Sequence, residues 1–302
     1  VFREFQGSSW QGFGFAVQTY QKRAWPGLHW LHQLAHRHHR CIPVRLVKGA
    51  YWDSEIKRAQ EQGLNGYPVF TRKAATDVSY LACARFLMSN TDSLYPQLAT
   101  HNALTLAWIN EIGRGRDYEL QRLHGMAGSL YQALADCFDD VPPVRVYAPV
   151  GNHEELLPYL VRRLLENGSN SSFINQLTDK QTDLDELVEN PCRRVEATDC
   201  RSHRHIPLPV DLYGDERRNA IGWDLTDPDV VNEMETQLRQ VCMHSWQSAA
   251  RIGGDDRQGE SVALLNPADS AQVLGRVCEA DGQDVERALA LAADAALPWD
   301  AA

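Results

Sequence analysis

Residues 42–52, with the sequence IPVRLVKGAYW, combine the pattern of a buried strand with groups that can do chemistry. Val44 fits an apolar strand, but Arg45 interrupts that strand and Lys48 closes it. A glycine, an alanine and two large aromatic residues come next. This composition predicts a strand that ends at the rim of a site, where polar and aromatic side chains can meet a ligand.

The segment NHEELLPYLVRRLLENG, residues 152–168, predicts a helix with a second candidate site. Its leucines occupy one face, and the other face carries Tyr159, Arg162, Arg163 and Glu166 at spacings i, i+3, i+4 and i+7. Adjacent arginines are suited to bidentate recognition of a carboxylate, so one interpretation is a carboxylate clamp steadied by the glutamate. The alternative, which periodicity alone favours, is a solvated helix face with salt bridges.

Two further polar clusters lie where loops are predicted. Thr71–Lys73 supplies hydroxyl and cationic donors that could hold a phosphate, and solvated loop charges explain the same residues equally well. Thr100–Asn102, with the sequence Thr-His-Asn, ends a predicted strand and offers several hydrogen-bonding groups at the position where a ligand would sit.

Histidines also recur on one predicted helix, at His29, His32 and His36. This spacing allows a metal site, but no carboxylate or cysteine completes the ligand set. A solvent-facing stripe is therefore the favoured interpretation, and no metal is predicted. The chain also contains no G-x-G-x-x-G, P-loop or G-x-S-x-G motif.

The first half of the chain alternates strand-like and helix-like segments, which predicts an α/β fold with parallel strands and right-handed crossovers. Polar residues stand at the end of each predicted strand: Gln18, Lys48, His101, Gln121 and Tyr147. Such an even distribution favours part of a (β/α)8 barrel, with five strands present and about three upstream, over a doubly wound sheet. The predicted strands are 15–20, 43–48, 97–101, 118–123 and 144–148; the helices lie near 26–39, 53–62, 76–89, 103–113, 127–137 and 153–167.

Composition excludes several classes of protein. The net charge of −10 over 302 residues argues against a nucleic-acid-binding surface, and no apolar run is long enough to span a membrane. The seven scattered cysteines indicate reduced thiols and a cytoplasmic location. We expect a piece of a longer protein, because the chain starts without methionine and ends just after a new helical pattern.

The second half is organised differently. Residues 1–180 form the predicted barrel part, and residues 181–260 form a mostly helical linker with one helix near 229–249. Residues 261–302 start a new domain with two strand-like runs, SVALLNPAD and QVLGRV, followed by a helix from Asp284.

Taken together, several segments resemble the proline dehydrogenase domain of the bifunctional proline utilization A (PutA) family. They occur in order over roughly residues 10–180, and the segment IPLPVDLYG resembles that family's connection between two catalytic modules. The end of the chain resembles the opening of an aldehyde dehydrogenase module. The barrel segments are VQTYQKR, RLVKGAYWDSEIKRAQ, GYPVFTRK, ATHNALTLA, LHGM, VYAPVG and YLVRRLLENG.

The resemblance implies a distorted barrel that binds FAD and oxidises L-proline to Δ1-pyrroline-5-carboxylate, with electrons passing to a membrane quinone. It also implies a bifunctional parent that oxidises glutamate semialdehyde to glutamate with NAD, through residues beyond this chain. By the same resemblance, a further active-site lysine and aspartate of the family are expected upstream of Val1. Since strands are missing from the barrel, we expect this piece alone to be inactive.

Carried over by motif, the residues fall into three sets. The catalytic set is Arg45, Tyr147, Arg162 and Arg163. The substrate set is Leu46, Tyr51, Leu123, Tyr147, Tyr159, Arg162, Arg163 and Glu166. The cofactor set is Gln18, Arg45, Val47, Lys48, Gly49, Ala50, Trp52, Thr71, Arg72, Lys73, Thr100, His101, Asn102, Gln121, Arg163 and Glu166.

Two alternatives remain at this point: a non-catalytic barrel remnant, and an unrelated barrel enzyme that uses Thr71–Lys73 on a phosphorylated substrate. Expected partners are proline, quinone and further copies of the parent protein, with nucleic acid only if an upstream repressor domain exists. The expected location is the cytoplasm, with peripheral placement at the inner membrane face as the alternative.

Overall fold

Five short strands form one parallel sheet in the computed structural model, which describes residues 10–168, 185, 188–199 and 201–300. Neighbours in the sheet are also neighbours in sequence, in the order β1-β2-β3-β4-β5. Sequential parallel order is the arrangement of a (β/α)8 barrel wall. The strands are β1 Phe15–Gln18, β2 Ile42–Val47, β3 Leu94–Ala99, β4 Glu119–Leu123 and β5 Val144–Tyr147.

Helices connect and follow these strands, as parallel crossovers require. They are α1 Ala24–Arg37, α2 Trp52–Glu61, α3 Lys73–Ser89, α4 Ala103–Ile112, α5 Gly128–Cys137 and α6 His153–Gly168. The predicted α/β fold, with five parallel strands, is therefore confirmed. β3 begins three residues earlier than predicted and ends at Ala99, so Thr100 and His101 follow the strand.

The core lies between one face of the sheet and the helices. Leu46, Leu98 and Leu120 stand in register on β2, β3 and β4, and each is 0% exposed. They pack in one apolar cluster with residues of the covering helices, such as Leu28 and Leu87. Side chains alternate across a strand, so the residues directly before and after each of these leucines face the opposite side of the sheet. That side corresponds to the barrel interior.

The helix α1 carries the predicted histidine stripe, and the structure differs from that prediction. His29 and His32 are half-buried, with ring centroids 4.3 and 5.7 Å from the ring centroid of Phe86. His32 Nδ1 lies 2.9 Å from Ser93 Oγ, and burial lowers the pKa of His32. Aromatic packing thus draws two of the histidines inward. In the described residues, no group of three or more His, Cys, Asp or Glu side chains could hold a metal ion.

The chain divides into two compact units, residues 1–222 and 223–302. The first unit continues beyond the sheet with α7 Pro191–Glu196 and a 3-10 turn at Pro209–Asp211. In the second unit, α8 Pro228–Cys242 precedes a three-stranded sheet, a two-stranded ribbon and a final helix. These are β6 Trp246–Ala249, β7 Arg251–Ile252, β8 Asp255–Asp256, β9 Val262–Asn266, β10 Asp269–Cys278 and α9 Gly282–Asp300.

The predicted helix near 229–249 is wrong at its end. α8 stops at Cys242, and Trp246–Ala249 forms β6, which pairs in parallel with β10. Pairing with a distant strand overrides the local helical pattern there. The unit boundary lies inside the predicted linker of residues 181–260, and the assignment of three functional segments stays a prediction.

The two strand-like runs and the helix predicted for residues 261–302 correspond to β9, β10 and α9. β9 and β10 pair antiparallel, with a register shift near Val273. Among the residues that the structure describes, no helix combines the length and apolarity needed to cross a bilayer.

Candidate active site

Arg45 is the central cation of the candidate site, on the interior face of β2. Its Nε donates a hydrogen bond of 2.7 Å to Oε1 of Gln121 on β4. Its guanidinium carbon lies 4.7 Å from the ring centroid of Tyr147, at the end of β5. One arginine is therefore held in the plane of its guanidinium by an amide and across that plane by an aromatic ring. Three predicted site residues from three strands meet here.

The loop after β2 brings backbone to the surface of the site. Gly49 has a φ of +128°, and a Cβ at this position would lie 2.6 Å from the ring of Tyr20. Only glycine fits both the dihedral angle and the space. Ala50 and Tyr51 follow, and α2 begins at Trp52 with Tyr51 as its N-cap, so the predicted helix start at Asp53 is one residue late.

Trp52 is fixed by a hydrogen bond from its indole Nε1 to the carbonyl oxygen of Phe70, at 2.8 Å. This bond joins the first residue of α2 to the loop before α3. The ring is half-buried, so part of its surface remains available for stacking on a planar ligand.

Lys48 lies at the end of β2 and forms a short ion pair with Asp77 of α3, with 2.5 Å between Nζ and Oδ1. It also donates to Thr105 Oγ1 at 3.1 Å. Burial lowers the pKa of Lys48, and the charge of Asp77 opposes that shift. Lys73, mostly exposed, pairs with the other oxygen of Asp77 at 3.1 Å. One carboxylate thus balances two cations at the rim of the sheet.

Thr71 and Arg72 contact a later part of the same unit. Thr71 Oγ1 accepts a hydrogen bond of 2.9 Å from the backbone nitrogen of His203. Arg72 donates to the carbonyl oxygens of Arg201 and Ser202, at 2.8 and 3.3 Å. The segment after α7 therefore borders this loop, which the sequence pattern alone did not indicate.

The strand ends of β3 and β4 supply the next group. Asn102 is the N-cap of α4, and its Oδ1 accepts from the backbone nitrogen of Thr105 at 2.8 Å. His101 Nε2 accepts from the backbone nitrogen of Leu123 at 3.3 Å. Thr100 is 8% exposed and Gln121 is 1% exposed. Together these bonds fix the loop after β3 against the end of β4.

The two arginines of α6 approach aromatic rings. The guanidinium carbon of Arg162 lies 4.6 Å from the ring centroid of Tyr51, and that of Arg163 lies 4.9 Å from the ring centroid of Tyr159. The first contact joins the last helix of the barrel part to the loop after β2. Arg162 therefore makes a contact across to the loop after β2, although its side chain stays exposed as the alternative of a solvated face would have it.

Other predicted residues are placed as follows. Gln18 and Val47 stand opposite each other in register at the ends of β1 and β2. Leu123 is buried at the end of β4. Leu46, a predicted substrate residue, packs in the apolar core on the helix-facing side of β2, and Arg45 lies on the opposite side of that strand. Glu166 belongs to α6, and its side chain lies outside the part of the chain that the structure describes.

Sequence reasoning missed two carboxylates, Asp77 and Glu119. Asp77 bonds both rim lysines. Glu119 is 2% exposed on the interior face of β4 and accepts from Gln121 Nε2 at 2.6 Å. Burial tends to raise the pKa of Glu119, but hydrogen bonds from Arg145, Gln121 and Gln97 hold it below its ordinary value. The signal was present: a glutamate two residues before a predicted site glutamine shares its strand face.

The fold and site together define a barrel-type α/β protein with a cationic, aromatic-lined site at the carboxyl ends of its parallel strands. Comparison with known proteins agrees. A family model described as proline dehydrogenase matches residues 1–176. The chain belongs to the proline dehydrogenase family.

The chain is similar to several bifunctional PutA proteins. The Klebsiella aerogenes protein is 45% identical over 305 residues, covering 97% of this chain and 23% of that relative. A solved structure of a mutant Bradyrhizobium japonicum PutA matches with a TM-score of 0.71 and 47% identity, covering 81% of this chain and 24% of that one. PutA from Bdellovibrio bacteriovorus, inactivated by N-propargylglycine, matches with a TM-score of 0.73 and 28% identity over 95% of this chain and 30% of that one. The chain thus spans about a quarter of such relatives.

Proposed function

We propose that this protein oxidises L-proline to Δ1-pyrroline-5-carboxylate with FAD as its cofactor. The observation that carries the proposal is the stacking of Arg45 on Tyr147 and of Arg162 on Tyr51, both at predicted site positions, in a chain of the proline dehydrogenase family. Family membership removes the alternative of an unrelated barrel enzyme. The non-catalytic remnant stays as the alternative that an experiment must decide.

The residues at the strand ends fit FAD by their chemistry. A dinucleotide offers phosphates and hydrogen-bonding ring atoms, and this rim supplies Arg45, Lys48, Arg72 and Lys73 as cations. Gly49 has no side chain that would block a cofactor at the strand end. Its positive φ and the nearby Tyr20 ring exclude any larger residue at this position. The residues that would hold the cofactor are these together with Gln18, Val47, Ala50, Trp52, Thr71, Thr100, His101, Asn102 and Gln121.

When bound, FAD supplies the acceptor for the hydride that leaves the substrate. Arg45 places a fixed positive charge beside the site and favours negative charge on a neighbouring group. Arg162 and Arg163 present planar donors that would bind the substrate carboxylate, and their stacking on Tyr51 and Tyr159 holds them in place. Tyr51 and Tyr147 provide aromatic walls that suit an apolar ring with one charged end.

We also propose that electrons leave to a membrane quinone and that the whole protein is bifunctional and forms homo-oligomers. Similarity to bifunctional PutA over 97% of the chain supports a second, NAD-dependent oxidation of glutamate semialdehyde. The proposed location is the cytoplasm, next to the membrane that holds the quinone. Nucleic acid is a partner only of a protein that also carries an upstream repressor domain.

The test begins with a spectrum of the purified full-length parent protein incubated with FAD, because this piece alone is expected to be inactive. We expect bound-flavin absorbance that bleaches when L-proline is added without another acceptor and recovers when a soluble quinone is added. D-proline serves as the control. A protein that binds no flavin refutes the cofactor assignment, and bound flavin that proline leaves unbleached favours the non-catalytic remnant.

Arg163→Met then tests the carboxylate clamp. Loss of a charge-assisted hydrogen bond to the substrate is expected to raise the KM for proline by roughly tenfold or more, while flavin stays bound. The matched control is Arg37→Met, which removes an exposed arginine from the last turn of α1. An unchanged KM in Arg163→Met would contradict the carboxylate clamp and favour the alternative that this face of α6 is solvated and has no part in substrate binding.

A further inference from the structure

Glu119 is a buried carboxylate in the interior of the barrel part that the proposed chemistry does not use. Its side chain is 2% exposed, yet four nitrogen atoms from three residues donate hydrogen bonds to it. Oε1 accepts from Gln97 Nε2 at 3.0 Å, from Gln121 Nε2 at 2.6 Å and from Arg145 Nε at 2.9 Å. Oε2 accepts from Arg145 Nη2 at 2.7 Å. A buried charge with this many bonds fixes the groups around it.

The amide of Gln121 has a single orientation that satisfies both of its neighbours. Arg45 can only donate, so it needs the amide oxygen, and the carboxylate of Glu119 can only accept, so it needs the amide nitrogen. Both requirements are met, with 2.7 Å from Arg45 Nε to Oε1 and 2.6 Å from Nε2 to Glu119. The Tyr131 hydroxyl lies 2.9 Å from the carbonyl oxygen of Gln121 and helps to hold its backbone.

We propose that Glu119 is a positioning residue for Arg45, because its carboxylate anchors the Gln121 amide whose oxygen orients the Arg45 guanidinium. Without an acceptor at position 119, the amide nitrogen of Gln121 is buried without a partner, and rotation towards another acceptor takes Oε1 away from Arg45. The importance of Arg45 for a flavin rests on the proposed function. The orientation of Arg45 by Glu119 does not depend on flavin, so an experiment can refute either claim without the other.

Arg145 supplies the balancing charge and is not needed for the positioning. Its side chain is 63% exposed at the edge strand β5, whereas Glu119 is enclosed. Replacement of Arg145 leaves the contacts of Oε1 with Gln97 and Gln121 in place. Glu119→Gln also keeps an oxygen at Oε1 for both glutamines; the amide nitrogen replaces Oε2, whose donors belong to Arg145, and that exposed side chain can turn to solvent. These two variants change the charge in opposite directions and keep the geometry.

The first experiment measures hydrogen exchange of the Arg45 Nε–H by nitrogen-15 NMR in the full chain without flavin, with the signal assigned from Arg45→Lys. We expect Glu119→Leu to speed this exchange by roughly fivefold or more, the equivalent of one lost hydrogen bond. Glu119→Gln and Arg145→Gln should leave it within about twofold. Unchanged exchange in folded Glu119→Leu overturns the proposal, as does fast exchange in Glu119→Gln.

If Glu119→Leu does not fold, Glu119→Asp decides, because it keeps the charge and withdraws the carboxylate by one methylene. We expect faster Nε–H exchange in Glu119→Asp, and unchanged exchange overturns the positioning role.

The second experiment measures the reduction potential of bound FAD in the same variants of the full-length parent protein. Loosening of Arg45 should disfavour the reduced, more negative flavin, and we expect the equilibrium constant for reduction to fall roughly fivefold in Glu119→Leu and to recover in Glu119→Gln. A merely structural role would lower the melting temperature of both variants without this difference. Failure of the full-length protein and of all its variants to bind FAD would refute the proposed function, and the exchange measurement on the chain would still decide the role of Glu119.

Discussion

On the helix-facing side of the sheet, Leu46, Leu98 and Leu120 stand in register, each 0% exposed. One residue earlier on the same strands, the interior side carries Arg45, Gln97 and Glu119, also in register. The first row is stabilised by burial of apolar surface and the second by hydrogen bonds and charge pairs. Alternation along a strand lets one backbone serve both purposes, because neighbouring residues face opposite sides.

The largest expected effect is on the leucine row. Leu98→Ala leaves a cavity in the centre of the core and should lower the free energy of unfolding by about 3 kcal/mol. Urea denaturation measures this change. Leu157→Ala is the matched control, since Leu157 of α6 is 50% exposed and its truncation should cost less than about 1 kcal/mol. Equal losses in the two variants would mean that β3 does not lie at the centre of the core.

Substitutions at the rim of the site, where Asp77 pairs with Lys48 and Lys73, should change stability through charge and not through packing. Asp77→Asn leaves Lys48 partly buried without a counter-ion, and the expected loss is about 1 to 2 kcal/mol at pH 7, discounted for partial exposure.

The pH dependence of that variant gives a sharper test. The folded-state pKa of Lys48 lies below its ordinary value of 10.5, so neutralisation of Lys48 as the pH rises should shrink the difference between variant and parent. Urea denaturation at pH 7 and pH 9.5 measures this. Lys73→Met is the control, because Lys73 is 61% exposed and its removal should change stability by less than about 0.5 kcal/mol. A constant difference at both pH values would show that the pair matters through shape and not charge.

Gln97→Met probes the polar row next to Leu98. It removes the 3.0 Å hydrogen bond to Glu119 and should cost about 1 kcal/mol. The pKa of Glu119 should rise, because one of the bonds that lower it is lost. Carbon-13 NMR of the Glu119 carboxyl group reports that pKa. A loss as large as that of Leu98→Ala, with the pKa of Glu119 unchanged, would contradict the division between the two rows.

The smallest effect is expected on mild acidification. The folded-state pKa of Glu119 is below its ordinary value of 4.5, so its charge stabilises the fold above that value, and this contribution is lost as the pH falls through the folded pKa. Unfolding measured from pH 6 downwards should show a shallower decline below about pH 4.5 in Glu119→Gln than in the parent chain. Identical slopes would mean that Glu119 titrates alike in the folded and unfolded states.

Periodicity in the sequence located the strands and helices of the barrel part well, because the local pattern of apolar residues there agrees with the final fold. The strand around Arg45 and the helices after it follow from alternation and from spacing near four residues. The pattern failed where distant packing decided the outcome. Trp246–Ala249 joins β10, and His29 packs on Phe86, although neither partner is close in sequence.

The candidate site shows the same division. Residue types predicted cations and aromatics at the strand ends, and the family resemblance predicted their roles. The structure brought in Asp77 and Glu119, which are ordinary acidic residues until the fold places them against Lys48 and Gln121. It also placed Leu46 in the core, on the side of β2 away from Arg45.

By itself, the sequence determined the α/β class, the order of strands and helices, and the presence of cations at a strand end, because these depend on short-range periodicity and residue chemistry. The tertiary structure alone decided which groups pair across the sheet. Arg45 meets Gln121 across 76 positions in the chain, and Glu119 meets Arg145 across 26. Such pairs depend on strand register and curvature, which no local pattern contains, since they arise only when the strands close against one another.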